Sequence, residues 1–280
     1  MSIDSFAHCE ALVREQDRDR WLAALFAPAE RRPHLFALYA FNAEIARVRS
    51  VVRTPMAGEI RLQWWRDALS GEGHGDVRSN PVTAALLDTV TACDLPVATL
   101  LDLIEARSFD LYDDPMPSLD ALYGYVRKTS SATIALAAHI LAGPDPVVAA
   151  LAGPAGLGWG LARLVQAVPA HSSRGQIYVP ADLLREHGVD PGDLLARRVS
   201  PGLVAALADL RARARLELAE AERATAMVPV AARPAFLPAA LAAPLLDRLD
   251  RVQAADPYAA IELAPWRRQW VLWRAARKMR

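Results

Sequence analysis

Nine prolines, Pro33, Pro55, Pro81, Pro96, Pro146, Pro180, Pro201, Pro234 and Pro265, stand at or just before the start of a run in which apolar residues recur every three to four positions. Proline has no amide hydrogen to give, so a helix tolerates it in the first turn and breaks around it in the interior. Placed this way, the prolines punctuate a chain of helices. No segment alternates apolar and polar residues as a half-buried strand would. The spacing predicts helices over residues 4–18, 33–53, 56–70, 81–93, 96–113, 118–142, 146–168, 180–187, 190–197, 201–227, 234–255 and 265–279, and therefore an all-α fold. The long polar break at residues 70–80, with Gly71, Gly73 and Gly75, reads as a loop within a single domain spanning 1–280, because helices of similar character flank it. No self-similarity at the period of helical repeats is visible, which favours a compact bundle over a solenoid.

Composition excludes several classes. Hydrophobic residues make up 53% and charged residues 23%, with 32 basic against 32 acidic side chains, which fits neither a disordered tail nor a broadly basic nucleic-acid binder. Of the basic residues all but Lys128 and Lys278 are Arg. Cys9 and Cys93 are far apart, and the six histidines, His8, His34, His74, His139, His171 and His187, include no pair at i, i+3 or i+4. A disulfide framework and a zinc motif are therefore not expected, and a reducing compartment is. GxSxG and GxxxxGK[ST] patterns are missing; Gly156, Gly158 and Gly160 fall in a helical run and read as contacts for close helix packing. Residues 1–15 carry Asp4, Glu10 and Glu15 and no apolar run, which fits neither a signal peptide nor an Arg-rich transit peptide. The weakly polar stretch 132–143 is too short for a bilayer, which needs roughly 20 residues, so no transmembrane helix is expected.

Two segments stand out from the alanine-rich background. The first is LFALYAFNAEIARVRSVV (35–52) with GEIRLQWWRDAL (58–69); the second is LARLVQAVPAHSSRGQIYVPADLLREHGV (161–189). Together with LYGYVRKTSS (122–131), they occur in the order and spacing of the squalene/phytoene synthase superfamily, which this chain resembles over nearly its whole length. The resemblance implies an isoprenoid-synthase-type helical bundle around a central cavity. Members of that family join prenyl diphosphates head to head, ionising the diphosphate with Mg²⁺ held by carboxylates at i and i+4 on facing helices.

The family's first acidic motif falls here on Ala46, Arg47, Val48, Arg49 and Ser50, and the second on Arg163, Ala167 and His171; none is an acid. At an effective dielectric near 20 and ~5 Å, each unit of charge changes the interaction with a divalent ion by roughly 6 kcal/mol, so Arg in place of Asp abolishes Mg²⁺ clustering. Glu44 is expected to be the only acid left nearby, and as a lone carboxylate it cannot replace four or five ligands. No metal ligands and no cofactor are expected; Mg²⁺ enters only if a prenyltransferase activity persists.

FNAEIARV, GEIRLQWWRDAL and AVPAHSSRGQIYVPADLLREHGV also resemble the branch of the family formed by mitochondrial complex I assembly factors and their bacterial relatives. That branch lacks the aspartates too. The resemblance implies a role in building an NADH:quinone oxidoreductase, with complex I subunits or assembly proteins as partners. The expected location is the bacterial cytoplasm, peripheral at most to the inner membrane. The alternatives are a divergent prenyltransferase and a non-catalytic isoprenoid- or quinone-binding protein.

Ligand contacts, if the cavity persists, are expected from Tyr39, Glu44, Arg47, Tyr125, Arg163, His171, Arg174 and Tyr178, with Phe41 and Tyr123 beside them. Arg47, Arg49, Arg163, His171 and Arg174 could hold an anion such as a lipid head group without metal. The competing reading pairs these arginines with Glu44 or Glu59 and makes the aromatic residues plain core. At the C-terminus, Trp266, Trp270 and Trp273 at i, i+4 and i+7 are surrounded by Arg267, Arg268, Arg274, Arg277, Lys278 and Arg280. Such a helix can lie in a membrane interface; the favoured expectation is that its Trp face packs on the bundle.

Overall fold

The computed structural model describes residues 3–278, and among these there is no strand. Met279 and Arg280, the end of the expected last helix and one of its rim cations, lie outside the described residues. The helices are α1 Ile3–Gln16, α2 Arg18–Ala24, α3 Arg32–Ala46, α4 Val48–Val51, α5 Pro55–Ser70, α6 Pro81–Cys93, α7 Val97–Ser108, α8 Leu119–Val126, α9 Ala132–Ala142, α10 Pro146–Gln166, α11 Val168–Ser172, α12 Ala181–Glu186, α13 Pro191–Leu195, α14 Pro201–Ala224, α15 Ala242–Gln253 and α16 Pro265–Lys278.

The proline punctuation works through a repeated two-residue device. Thr54, Asn80, Asp145, Asp190 and Ser200 each accept a backbone N–H of the helix they cap, and each is followed by proline at the first helical position. The cap satisfies an amide that the helix leaves orphaned, and the proline removes another.

Several expected helices differ: residues 96–113 leave the α-helix at Ser108 for a 3₁₀ turn, Phe109–Leu111, and 146–168 break at Ala167 before the separate α11. Residues 4–18 end at Gln16, because Asp17 turns its carboxylate onto Arg20 N (3.1 Å) and starts α2, a helix missing from the sequence reading. Residues 33–53 break at Arg47, where the backbone departs from the helix (φ −90°, ψ −3°). Residues 118–142 are interrupted by one π-helical turn, Arg127–Ser131. Residues 234–255 become helical only from Ala242; Pro234 and Pro238 lie inside a 3₁₀ segment, Val230–Leu241, where each proline removes a donor that an α-helix would need.

The core is organised around α10. On one side it meets α9 and the π-turn, on the other α14, with α15 and the 3₁₀ segment Val230–Leu241 closing the ring. Its glycines allow this. A Cβ on Gly156 would lie 2.2 Å from Ser131 Cα; on Gly158, 2.5 Å from Leu218 Cγ and 3.0 Å from Ala214 O; on Gly160, 2.5 Å from Val126 Cγ1 and 2.8 Å from Ser130 Oγ. The glycine run is therefore a packing stripe with neighbours on two faces. Ser131 also donates its hydroxyl to Gly153 O (2.9 Å), tying the π-turn to α10 just ahead of Pro154. By length and composition alone α10 and residues 230–253 are each apolar and long enough to cross a membrane, but 56% of the apolar window of each is buried inside the bundle, as in a core helix.

A Gly156→Ala variant is expected to lose about 2 kcal/mol or more in urea unfolding, because its new methyl meets backbone that no rotamer change can move. Gly124→Ala, in helix α8 with nothing within 4 Å of its added Cβ, is expected to gain about 1 kcal/mol. Equal effects at the two positions would contradict the packing role.

Candidate functional site

The site forms where the broken end of α3 and the α10–α11 junction meet the chain between α7 and α8. The segment RGQIYVP is fastened there by backbone pairs: Met116 N donates to Ile177 O (2.9 Å) and Ala181 N to Met116 O (2.8 Å). Asp182 accepts Leu119 N (3.1 Å), so one carboxylate also helps to start α8. Gly175 takes φ +79°, which turns the chain so that Tyr178 points inward and leaves Asp113 about a van der Waals contact from the position a Cβ would occupy.

Asp110, 6% exposed, is the hub. Tyr178 donates to its Oδ1 (2.5 Å), Tyr125 to the same oxygen (2.8 Å), and Arg107 Nη1 to Oδ2 (3.1 Å). Arg107 also donates to Tyr125 Oη (2.6 Å), and Gln176 Nε2 donates to Asp110 O (3.0 Å). Phe109 packs edge-on against both tyrosines. Burial raises both phenols far above their ordinary range, with the neighbouring Asp110 adding to the rise, so they remain protonated donors committed to the carboxylate.

His171 lies against Tyr178 with ring centroids 4.4 Å apart. Burial first, then the positive charges of Arg174 and Arg107, push it down to about 4, so the ring is neutral at pH 7. Its Nδ1 is buried with no hydrogen-bond partner, as are Arg107 Nε and Arg49 Nε.

The other motif positions are distributed differently. Arg47 pairs with Glu44 (3.5 Å), as the ion-pair reading expects, but Arg49 pairs with Asp113 (2.9 Å) rather than with Glu59, which accepts instead from Tyr112 Oη (3.3 Å). Ser50 donates to Arg47 O (2.7 Å), and Ala46 is exposed. Arg163 donates to Gln166 Oε1 (2.6 Å), stacks over Trp159 and faces the field of Asp19, so it serves α2 rather than the His171 cluster; half-buried Ala167 carries only a methyl. The structure thus brings Tyr125, His171, Arg174 and Tyr178 together and leaves Arg163 outside.

Tyr39 is 2% exposed under the Arg20 guanidinium, and Phe41 is 0% exposed against Trp65. A side chain bordering a space wide enough for water keeps accessible surface, so these two are packed core rather than ligand contacts. Tyr123 is half-buried beneath Arg127.

Sequence reading missed Arg107, Asp110, Asp113 and Gln176, and Glu44 is not the only acid nearby. The signal was the RSFDLYDD stretch, residues 107–114, in which Arg107 and Asp110 stand at i, i+3 where a helical run loses its period.

These residues do not fit a Mg²⁺ cluster. Hard divalent ions take several oxygen ligands, whereas the motif positions offer methyls, guanidiniums, one hydroxyl and an imidazole. Among the described residues no three His, Cys, Asp or Glu side chains converge as a metal site. An apolar groove of about 830 Å³ lies elsewhere, between α14, α15, α16 and the 3₁₀ segment, lined by Leu218, Phe236, Ala240, Trp266 and Trp270 among others. None of the site residues expected from sequence lines it.

The sequence pattern of the squalene/phytoene synthase family matches residues 13–274. Complex I assembly factor 6 of Rattus norvegicus is 31% identical over 249 residues, covering 89% of this chain and 75% of that one. Among solved structures, squalene synthase HpnC from Alicyclobacillus acidocaldarius superposes with a TM-score of 0.77 at 26% identity, covering 91% of this chain and 95% of that one. A dehydrosqualene synthase in complex with ligand gives 0.81 at 18% identity, covering 99% and 96%, and shares the fold.

The environment of His171 generates a pH prediction. The unfolded imidazole titrates near 6.5 and the folded one near 4. Between those values the unfolded state holds the extra proton, so stability is present above pH 6.5 and is lost as pH falls toward 4. Unfolding free energies of wild type and His171→Gln, compared from pH 7 to pH 4, should converge or cross by up to about 3 kcal/mol. Parallel curves would contradict the buried neutral ring.

Proposed function

The chain belongs to the squalene/phytoene synthase family, and we propose that within it this protein serves the assembly of a respiratory NADH:quinone oxidoreductase without head-to-head prenyltransferase activity. The observation that carries the reading is the residue set at the two acidic-motif positions: Ala46, Arg47 and Ser50 on one side, Arg163, Ala167 and His171 on the other. An allylic diphosphate ionises when its developing charge is neutralised, which the family does with metal-bound carboxylates. Here the buried carboxylate at the centre of the site, Asp110, is saturated by Tyr125, Tyr178 and Arg107. Relatives of about 30% identity over most of the chain are complex I assembly factors, which supports the direction of the proposal. The partners proposed are complex I subunits or assembly proteins, met on the cytoplasmic side of the inner membrane.

A second reading, a non-catalytic isoprenoid- or quinone-binding protein, is favoured by the apolar groove beside α16. It predicts that an apolar lipid co-purifies with the protein.

The assembly reading is tested by a clean deletion in the organism that encodes the chain. The deletion should lower assembled NADH:quinone oxidoreductase and its activity several-fold, leave succinate oxidation unchanged, and be rescued by the wild-type gene. Unchanged complex and activity would overturn it.

A further inference from the structure

The sequence expectation that the C-terminal Trp face packs on the bundle is not met. Trp266 is 71% exposed, Trp270 55% and Trp273 43%, and the last two stack on each other with centroids 5.1 Å apart. What holds α16 to the bundle is its other side: Leu272 is fully buried, and Arg268 reaches across to Asp19 on α2 (3.0 Å). Asp19 is itself buried, and desolvation raises its carboxyl despite Arg268 and Arg163, so this is a fixed internal tie and not a surface pair.

The helix carries Arg267, Arg268, Arg274, Arg277 and Lys278 and no acid. Arg268 is spent on the tie to Asp19; Arg277 covers Trp273 (4.8 Å), and Arg267, Arg274 and Lys278 line the groove beside the Trp stripe. Advancing by 100° per residue, Trp266, Trp270, Trp273 and Arg277 share one outward stripe, with Arg267, Arg274 and Lys278 along its edge. Trp266 and Trp270 also form a wall of the apolar groove, so apolar surface continues past the helix onto Phe236 and Ala240.

From this arrangement we propose that α16 is a membrane-docking element, seating its Trp stripe at the headgroup level of a bilayer that carries anionic lipids. Two features choose a bilayer over a protein. Indole combines a large apolar face with one N–H donor, which suits the boundary between acyl chains and water. A helix with several cations and no acid complements a continuous sheet of negative headgroups, and the acids of the adjoining groove, Glu222 and Asp247, stand on α14 and α15 across from it, Asp247 being paired with Arg215. The docking side is set by a helix locked to α2, so the whole bundle is held in one orientation on the membrane.

The test uses the purified full chain with vesicles of phosphatidylcholine, alone or with about one part in three phosphatidylglycerol, followed by flotation and tryptophan emission. Binding to the anionic vesicles with a blue shift is expected, together with weak binding to neutral vesicles and loss of binding in high salt. Neutralising Arg267, Arg274, Arg277 and Lys278 with Gln is expected to cost about fivefold in vesicle affinity per cation. Trp266→Ser/Trp270→Ser/Trp273→Ser should abolish flotation while the far-ultraviolet dichroism and urea midpoint stay near wild type, since Leu272 and Arg268 are untouched. No flotation of folded wild type, or flotation that survives the triple Trp variant, would overturn the proposal. So would self-association through the Trp face with vesicles left unbound. The assay contains no other protein, so its outcome is separate from that of the deletion.

Discussion

The close approach of backbones at α10 is the constraint on which the rest depends. At Gly156 there is no room for even one methyl against Ser131, and Gly158 and Gly160 bring α14 and the end of α8 in on their own faces. This clamps the helix that leads into α11, and α11 in turn sets down His171 and RGQIYVP. Ser131, in the π-turn, is both the glycine's neighbour and the donor that binds Gly153 O. A π-turn adds a residue to the helix repeat and shifts the side chains that follow; it lies between Tyr125, which faces the site, and α9, which faces the core. Packing and site geometry are therefore one problem in this fold.

On that scaffold the charge pattern has been inverted. A fold that in the family's enzymes presents carboxylates to a metal cluster here presents Arg47, Arg49, Arg174 and a neutral His171, with Asp110, Asp113 and Glu44 each engaged by a local partner. Asp113 is taken by Arg49, Glu44 by Arg47, and Asp110 by two phenols and Arg107. The internal polar network is almost satisfied, so it stabilises a particular packing in place of an exchangeable set of ligands. Around His171 the unpartnered buried atoms are His171 Nδ1, Arg49 Nε and Arg107 Nε; on α3 the amide oxygen of Asn42, one turn before Ala46, is also unpartnered, and a single neutral oxygen does not make the several-oxygen set a hard divalent ion takes.

Local rules were legible in the sequence. Proline marked the first residue of α5, α6, α10, α14 and α16, and GxGxG in a helical run marked the packing stripe. Long-range pairing was not legible. Tyr178 meets Asp110 from 68 residues away and Arg49 meets Asp113 from 64 residues away, and no periodicity encodes such meetings. The Trp helix shows a different limit: an apolar stripe at helical spacing states that it will be covered by something, and only the fold reveals that the bundle uses Leu272 and Arg268 and leaves the indoles outside. The short α2 was missed because Asp17 restarts a helix within a charged stretch whose composition gives no break signal.

The central claim is that a change of sign at the old metal positions has removed magnesium-dependent chemistry from an intact isoprenoid-synthase fold. The direct measurement is turnover of farnesyl or geranylgeranyl diphosphate by the purified protein with Mg²⁺, with Mn²⁺ and with chelator. No C30 or C40 product under any of the three conditions is predicted, with diphosphate affinity unchanged by the chelator. A head-to-head product that forms with Mg²⁺ and disappears with chelator would contradict the account.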